Sequence, residues 1–202
     1  MQEPQLSNGG FDPAPGDRAR TSPPAKEKDS FLSFLGELPV LIITAIVVAW
    51  LIKTFLVQPF YIPSGSMEPT LLPGDRVLVS KLSYRFGEPK PGNVVVFIAP
   101  EIAEAGETDF IKRIMATPGM TVQEINARMF VNGKLKNEPY TRADNSTASF
   151  GPATVPPGKV FVMGDNRANS KDSRYFGPIE KKSLVGKAFF VYWPPSRVGM
   201  LK

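Results

Sequence analysis

The chain has 202 residues, 24 Lys and Arg against 19 Asp and Glu, a formal charge of +5, and neither Cys nor His. The absence of Cys and His excludes disulfide bonds, thiolate nucleophiles, the usual zinc sites and any Ser-His-Asp triad, so a nucleophilic serine would need Lys, Asp, Glu or Tyr as its base. With 21 Pro and 17 Gly, the composition favours a loop-rich β protein over a helical bundle.

Residues 1–34 are predicted to form a disordered tail on the cytoplasmic side of a membrane. Prolines recur there among charges of both signs, and few side chains are apolar. Such a composition cannot bury enough apolar surface to offset the entropy of folding. An inert tail and a docking segment are both compatible with this pattern.

Residues 35–57 are predicted to form a transmembrane anchor. The 20 residues from Leu38 to Val57 are apolar except for one lysine and two threonines. At about 1.5 Å per residue, a helix of this length spans roughly 30 Å, the thickness of the hydrocarbon core. A buried core helix is the first alternative. A cleaved signal peptide is the second, and it would require an abnormally long charged region before the apolar run.

Flanking charges predict how this anchor is oriented. Four basic residues precede the run closely, and only Arg76 follows it at a similar distance. This asymmetry places the N-terminus in the cytoplasm and residues 58–202 on the far side of the membrane. The segment 58–202 carries 19 basic and 13 acidic residues. Membrane lipid is therefore a predicted partner, and nucleic acid is not.

Short apolar runs and period-two alternation predict that the remainder of the chain is mainly β. Asn132-Gly133 lies between two apolar arms and predicts a tight hairpin over Met129–Leu135. The polar stretch 137–158 predicts a long surface excursion. The other predicted strands are Arg76–Leu82, Asn93–Ile98, Asp109–Ile114, Lys159–Met163 and Ala188–Tyr192.

A stiff turn follows the apolar run, where Pro63 and Pro69 bracket Ser64-Gly65-Ser66. Proline fixes φ and glycine widens the backbone choice, so such a turn can present a serine to a substrate. An ordinary linker after a membrane helix is the alternative interpretation. Further along, Lys112 and Arg113 are adjacent in an apolar strand, where successive side chains point to opposite faces. One of them can therefore face a cleft, unless both are solvated on an edge strand.

A third segment, 164–175, is dense in Asp, Asn, Ser and Arg, which predicts a turn held by its own hydrogen bonds. Together the three segments resemble boxes of the bacterial type I signal peptidases, or leader peptidases, a family of membrane-bound Ser-Lys proteases. Residues 63–71 match the nucleophile box and Gly74–Val79 the box that follows it. Phe110–Arg113 match the lysine box and 164–174 the last box, and the resemblance covers most of the chain beyond the tail.

The resemblance implies an antiparallel β-sheet catalytic domain with a reduced second β region. It also implies a serine endopeptidase that removes signal peptides from exported preproteins by cutting after small residues at −1 and −3, without metal or cofactor. Ser66 would be the nucleophile and Lys112, as a neutral amine, the general base. Ser64 would donate a hydrogen bond to the oxyanion, and Ser170 would hydrogen-bond Lys112 and orient it.

Two further sets of residues follow from the same resemblance. Five apolar side chains match positions of the substrate pocket: Phe60, Ile62, Met67, Leu71 and Ile111. Four charged side chains would hold the last box together structurally: Asp165, Arg167, Asp172 and Arg174. Signal peptides would be the main partner. The resemblance implies a location in the plasma (cell inner) membrane, with a thylakoid membrane as the open alternative, and transient contact with the export machinery is compatible with it.

Two alternatives remain open on the sequence alone. A self-cleaving repressor would share the Ser-Lys pair but would need a scissile segment before Ser66, where the apolar run lies. A membrane-tethered β domain that only binds a partner would not need Ser66 or Lys112 at all. A penicillin-binding acylase is excluded, because the chain contains no Ser-x-x-Lys.

Overall fold

A computed structural model of the chain describes residues 28–100, 109–141 and 149–201. Residues 1–27 of the predicted tail therefore lie outside the described residues. The chain divides into two units, Met1–Thr44 and Ala45–Lys202. Helix α1 runs from Lys28 to Phe55, so it begins before residue 35, where the predicted anchor starts.

The middle of α1 presents large apolar side chains, and Leu41, Ile43 and Ile46 are all exposed. Within the described ranges, none of the helices combines the length and the apolar character needed to cross a membrane.

Twelve strands and one short helix follow in the remaining described chain. The strands are β1 Val57–Tyr61, β2 Arg76–Ser80, β3 Val94–Ile98, β4 Asp109–Ala116, β5 Thr121–Ile125, β6 Arg128–Val131, β7 Lys134–Leu135, β8 Phe150–Thr154, β9 Lys159–Met163, β10 Ile179–Glu180, β11 Leu184–Trp193 and β12 Gly199–Met200. Helix α2 covers Ser173–Phe176, and short 3-10 turns include Gly65–Met67 and Arg167–Asn169.

These strands form two antiparallel sheets. The larger has eight strands in the order β1-β2-β11-β3-β4-β9-β10, with β12 paired to β11. The smaller has four strands in the order β7-β6-β5-β8. The prediction of a mainly β, antiparallel protein is therefore confirmed, and the second β region is a four-stranded sheet.

The predicted hairpin is present, with Asn132 and Gly133 both at positive φ (51° and 73°) between β6 and β7. The predicted surface excursion over 137–158 contains a strand that was not predicted, β8 at 150–154, which pairs with β5 and has no buried residue. Phe150 stacks on Phe161 with ring centroids 5.6 Å apart, so this strand is held partly by a contact distant in sequence. The strand was not predicted from the sequence because it contains Gly151-Pro152, and both residues are rare in strand interiors.

Three buried apolar clusters hold the sheets together. One joins β1 and the segment after it to β2, β3 and β11, and it contains Ile62, Met67, Leu71 and Ile111. A second lies under the smaller sheet around Met115 and Met129. The third contains Phe97 and Ile114, with Phe110 and Phe176 packed against it. Strand β4 contributes to all three clusters, and a register shift between Ile114 and Ala116 interrupts its pairing with β9.

Gly186 on β11 has no room for a side chain. A Cβ there would lie 2.4 Å from the Ser80 carbonyl oxygen and 2.8 Å from Val79 Cγ1, so β2 would have to move. We expect Gly186→Ala to lower the free energy of unfolding by about 2 kcal/mol, in the range of other overpacking substitutions. Urea unfolding of the purified chain, followed by tryptophan fluorescence, measures the change.

The matched control is Gly199→Ala on β12, where a Cβ meets nothing within 4 Å. Its effect should stay within about 0.5 kcal/mol, as for most surface substitutions. Equal effects of the two substitutions would show that the β2–β11 contact is not as tight as described.

Candidate active site

Ser66 lies in the 3-10 turn Gly65–Met67, and only 6% of its surface is exposed. The segment is closed at its base, because the Ile62 N–H donates to the Asp75 carbonyl and the Gly74 N–H donates to the Ile62 carbonyl, both at 2.9 Å. Within it the Leu71 N–H donates to the Met67 carbonyl at 2.9 Å. The sequence between two prolines therefore folds as a rigid loop that fixes the Ser66 side chain.

Lys112 meets Ser66 directly. Its Nζ donates a hydrogen bond to Ser66 Oγ at 2.8 Å, and the lysine is 4% exposed. The Phe110 ring centroid lies 5.2 Å from Nζ. The sequence alternative of two solvated charges on an edge strand is wrong, because β4 lies inside the sheet between β3 and β9 and both Lys112 and Arg113 are buried.

Ser64 stands beside the same hydroxyl on an extended backbone, with φ −125° and ψ 158°. Its Oγ donates to Ser66 Oγ at 3.5 Å, at the long limit of a hydrogen bond. Ser64 is exposed, whereas Ser66 is buried. The two hydroxyls therefore meet where the buried interior opens to solvent.

Ser170 differs from the expectation. Its Oγ is buried and has no hydrogen-bond partner in the described part of the chain, so the implied hydrogen bond to Lys112 is not formed in this structure. The hydroxyl instead packs against Gly164, where an added Cβ would lie 2.3 Å from Ser170 Oγ and 2.4 Å from the Ser66 carbonyl oxygen. Only glycine at position 164 allows the loop and the Ser66 turn to approach this closely.

Asn166 locks the two segments together, a contact that the sequence analysis missed. Its backbone N–H donates to the Ser66 carbonyl at 3.1 Å, and its Nδ2 donates to the Gly65 carbonyl at 3.0 Å. In the sequence, only the position of Asn166 directly after Gly164-Asp165 could have suggested that it takes part in the site. The loop 164–170 therefore fixes the backbone that carries Ser66.

A buried ion pair connects β4 to the same loop. Arg113 donates through Nε to Asp165 Oδ1 at 2.9 Å and through Nη2 to Oδ2 at 2.8 Å, and both side chains are at most 2% exposed. Thr70 donates to the same carboxylate, and Arg113 Nη1 donates to the Gly92 carbonyl at 2.9 Å. Asp165 thus joins the strand of Lys112 to the loop of Ser66.

The segment after β7 adds a second layer around this pair. Glu138 accepts from the two terminal nitrogens of the Arg167 guanidinium, Nη1 and Nη2. Arg167 also donates through Nε to the Gly164 carbonyl at 3.1 Å. The Tyr140 ring lies under the Arg113 guanidinium, 3.9 Å from its carbon, and the Tyr140 hydroxyl donates to Glu138. Burial, followed by the charge of Glu138, raises the pKa of Tyr140 well above its ordinary value, so this hydroxyl remains a donor.

The remaining two predicted structural residues close the loop from the other end. Asp172 accepts from the Gly164 N–H at 3.0 Å and from Arg174 Nε at 2.9 Å. Arg174 also donates to the Arg167 carbonyl at 2.7 Å and lies 3.9 Å from Glu124 of the smaller sheet. Glu124 and Glu138 were not predicted, because nothing local in the sequence marks a carboxylate whose partners are distant.

A cleft of about 740 Å³ opens over the Ser66–Lys112 pair. Three of the five predicted pocket residues line it: Phe60, Ile62 and Ile111. Met67 and Leu71 are completely buried in the apolar cluster behind Ile62 and do not line the cleft. Lining residues that the sequence analysis did not select include Tyr61, Val96, Asp109 and Lys171.

Two strand edges face this cleft. Strand β1 is the last strand of its sheet and pairs only with β2. Strand β4 pairs with β3 over 109–113, but β9 joins its other edge only from Arg113 onward. Among the described strands, none therefore pairs with the second edge of Asp109–Lys112 next to the cleft.

Comparison with known proteins assigns the class. A family model described as "Signal peptidase, peptidase S26" matches residues 35–193. Signal peptidase I of Mycobacterium tuberculosis is 36% identical over all of this chain and 90% of its own length. The chain therefore belongs to the signal peptidase family, peptidase S26, and is a serine protease that removes signal peptides.

Two other relatives and one solved structure are also similar to this chain. A probable signal peptidase I-2 of Synechocystis is 42% identical over 82% of this chain and 76% of its own. Thylakoidal processing peptidase 1 of Arabidopsis thaliana is 41% identical over 77% of this chain and 47% of its own. A solved signal peptidase I structure from Enterococcus faecalis is 29% identical, covering 50% of this chain and 96% of that one, with a TM-score of 0.43.

The Arg113–Asp165 pair generates a stability prediction. Asp165→Ala leaves the Arg113 guanidinium buried without its counter-ion, and we expect it to lower the free energy of unfolding by about 3 kcal/mol. Urea unfolding of the full chain measures this loss. Glu88→Ala is the control, because Glu88 pairs with Lys181 at an exposed position and should change stability by less than about 1 kcal/mol. An Asp165→Ala variant as stable as this control would contradict the assigned role.

Proposed function

We propose that this chain cleaves preproteins with Ser66 as the nucleophile and Lys112, as a neutral amine, as the general base. The observation that carries the proposal is the 2.8 Å contact between Lys112 Nζ and Ser66 Oγ inside a cleft of sufficient size for a peptide. Nucleophile and base within hydrogen-bond reach are the arrangement that covalent catalysis requires.

The reaction follows from this geometry. Nζ takes the proton from Oγ as Oγ attacks the scissile carbonyl carbon, and the carbonyl oxygen becomes the oxyanion. The Ser64 hydroxyl and the Ser66 N–H donate to this oxyanion, and such a donor typically contributes about 3 kcal/mol to lowering the barrier. The Lys112 ammonium returns the proton to the leaving amine, which leaves an ester on Ser66. Water, deprotonated by Lys112, then hydrolyses the ester.

Burial supports the neutral form of Lys112. Lys112 is 4% exposed, and removing a lysine from water disfavours its ammonium. The Phe110 ring, whose centroid lies 5.2 Å from Nζ, attracts the charged form and opposes this effect.

The loop residues support this chemistry by position. We assign Asp165, Arg167, Asp172 and Arg174 the task of holding the loop 164–170 against the Ser66 turn through charge-assisted hydrogen bonds. Ser170 would orient Lys112 after rotation of its hydroxyl away from Gly164.

The substrate would bind as an added strand between β1 and the available edge of β4, the β-augmentation mode of peptide recognition. Small side chains at −1 and −3 would then point to one side, since alternate residues of a strand share a face. That side is lined by Phe60, Ile62 and Ile111. Met67 and Leu71 would support these walls from the core.

Alanine substitutions test the catalytic pair. Ser66→Ala and Lys112→Ala should each lower preprotein cleavage by about three orders of magnitude or more, because nucleophile and base act as a unit. Cleavage of a purified preprotein, analysed by gel electrophoresis, measures the loss. Ser183→Ala and Lys134→Ala are the controls, since these residues lie outside the cleft. Cleavage at the unmodified rate by either of the first two variants would disprove the mechanism.

The pH profile tests the neutral amine. A general base acts only when deprotonated, so kcat/KM should rise with pH as Lys112 loses its proton in the free enzyme. Initial rates of peptide cleavage between about pH 5 and 9 would show this rise. The value of kcat/KM must rise and not fall with pH, because the ammonium form of Lys112 cannot accept the Ser66 proton. A flat profile would indicate a different base.

We also propose that the chain is a single-pass protein of the plasma membrane, with its N-terminus in the cytoplasm and residues 58–202 outside. The support lies in the apolar run from Leu38 to Val57 and the basic residues before it. The thylakoid peptidase among the relatives keeps a thylakoid membrane as the second candidate. Membrane lipid, signal peptides and, transiently, the export machinery would be the partners at this location.

Extraction and protease protection test the location. The full chain should stay in the membrane pellet at alkaline pH, because a helix of about 20 apolar residues inserts stably. External protease should digest 58–202 in spheroplasts and leave the N-terminal segment protected. Release of the intact chain into the alkaline supernatant, or protection of 58–202, would contradict the proposal.

A further inference from the structure

The segment that follows β7 reaches the loop 164–170 through one carboxylate, Glu138. Glu138 accepts hydrogen bonds from Nη1 and Nη2 of Arg167, and the side chains of the two residues are only 8% and 4% exposed. Arg167 in turn donates through Nε to the Gly164 carbonyl at 3.1 Å. Charge-assisted pairs with two contacts fix orientation as well as distance. Glu138 therefore orients the Arg167 guanidinium toward the Gly164 carbonyl.

Tyr140, two residues further on, connects Glu138 to strand β4. Its hydroxyl donates to Glu138 Oε1 at 3.1 Å, and its ring centroid lies 3.9 Å from the central carbon of the Arg113 guanidinium. The Glu138 carbonyl accepts from the Thr141 N–H at 3.1 Å and from the Thr141 hydroxyl at 3.0 Å. This closed turn over 138–141 holds the carboxylate and the aromatic ring side by side.

Together these contacts close a six-residue ring that joins three segments of the chain. Its members, in order, are Arg113, Asp165, Gly164, Arg167, Glu138 and Tyr140. Lys112 precedes the first member on β4, and an added Cβ at Gly164 would lie 2.4 Å from the Ser66 carbonyl oxygen. The ring therefore passes next to both Lys112 and Ser66.

The charges of the six-residue ring balance. It contains two guanidinium groups and two carboxylates, and Arg113, Asp165 and Arg167 are all buried. A buried charge that loses its partner is costly, so without Glu138 the Arg167 side chain should turn toward solvent and release the Gly164 carbonyl. Because Gly164 packs directly on the Ser66 turn, a shift of the loop would move the serine as well.

We infer that Glu138 and Tyr140 are positioning residues of the cleavage reaction. Together they hold the two arginines of the six-residue ring, so that Ser66 Oγ stays within hydrogen-bond reach of Lys112 Nζ. Neither residue lines the cleft, so they should act on the chemical step and not on substrate binding. This inference rests on the proposed function, since it requires Ser66 and Lys112 to be the reacting pair.

Removal of one hydroxyl group tests the inference with little change in packing. Tyr140→Phe keeps the aromatic ring on Arg113 and loses the hydrogen bond to Glu138. For cleavage of a purified preprotein by the full chain, kcat should fall about tenfold, less than the roughly hundredfold loss that a 1 Å misplacement can cause. KM should stay within about twofold, because the cleft itself is unchanged.

Tyr84→Phe is the matched control. Tyr84 is also half-buried, and its hydroxyl donates to Asn93 Oδ1 at 3.3 Å, outside both the six-residue ring and the cleft. It should keep both kcat and KM. A kcat of Tyr140→Phe equal to that of this control would overturn the inference, and so would a rise in KM at unchanged kcat.

A double-mutant cycle separates positioning from a general loss of stability. All variants are assayed at a temperature at which circular dichroism shows them folded. Glu138→Gln should also lower kcat, and Tyr140→Phe in that background should lower it less than about twofold further, since the two residues act through one hydrogen bond. Glu180→Gln, at a surface pair with Lys159, should leave the tenfold effect of Tyr140→Phe intact.

Two losses of kcat that simply multiply in the cycle would overturn the inference. If Glu138→Gln does not fold, the comparison of Tyr140→Phe with Tyr84→Phe decides. Ser66→Ala in the same assay separates this inference from the proposed function. Cleavage by Ser66→Ala at the unmodified rate would disprove both, whereas an inactive Ser66→Ala beside a fully active Tyr140→Phe would overturn the positioning role alone.

Discussion

The buried ion pair between Arg113 and Asp165 is the interaction on which the site depends. Arg113 follows Lys112 directly on β4, and Asp165 stands between Gly164 and Asn166, the two residues that contact the Ser66 turn. One pair of charges therefore fixes Lys112 relative to Ser66, although their segments are far apart in sequence. A buried pair contributes little net stability, but the loss of either partner is costly, so it enforces a geometry more than it strengthens the fold.

A protein without histidine needs another way to keep a base neutral near physiological pH. In the proposed mechanism the burial of Lys112 would supply it, because the central strand is covered on both faces by apolar side chains. Lys112 is 4% exposed, and it lies with Ser66 in the lining of the cleft. The segment after β7 takes part through Glu138 and Tyr140, which contact Arg167 and Arg113. It is therefore a support for the site and not only an appended region.

Local patterns predicted the local features well. The runs that became β3, β4 and β9, and the Asn132-Gly133 turn, follow from side-chain shape and backbone preference within a few residues. The resemblance to a family added the pairing of Ser66 with Lys112, which no local pattern contains. Strand β8 was missed because its stability comes from β5 and from the stacking of Phe150 on Phe161.

Local sequence patterns also fail to predict where individual side chains lie within the site. Met67 and Leu71 are apolar and close to Ser66 in sequence, yet the loop turns them into the core, away from the cleft. The Ser170 hydroxyl packs against Gly164, and Glu138 accepts from Arg167, which is distant in sequence. Such features are set by tertiary packing, so they become visible only in three dimensions.

The alternation of side chains along β4, where Lys112 and Arg113 are neighbours, has an evolutionary consequence. Sliding β4 by a single position would exchange an amine that can be neutral for a guanidinium that always carries its charge, and would turn every core side chain of the strand to the wrong face. Natural selection should therefore remove insertions and deletions inside this strand, whereas the loops before and after it can vary in length.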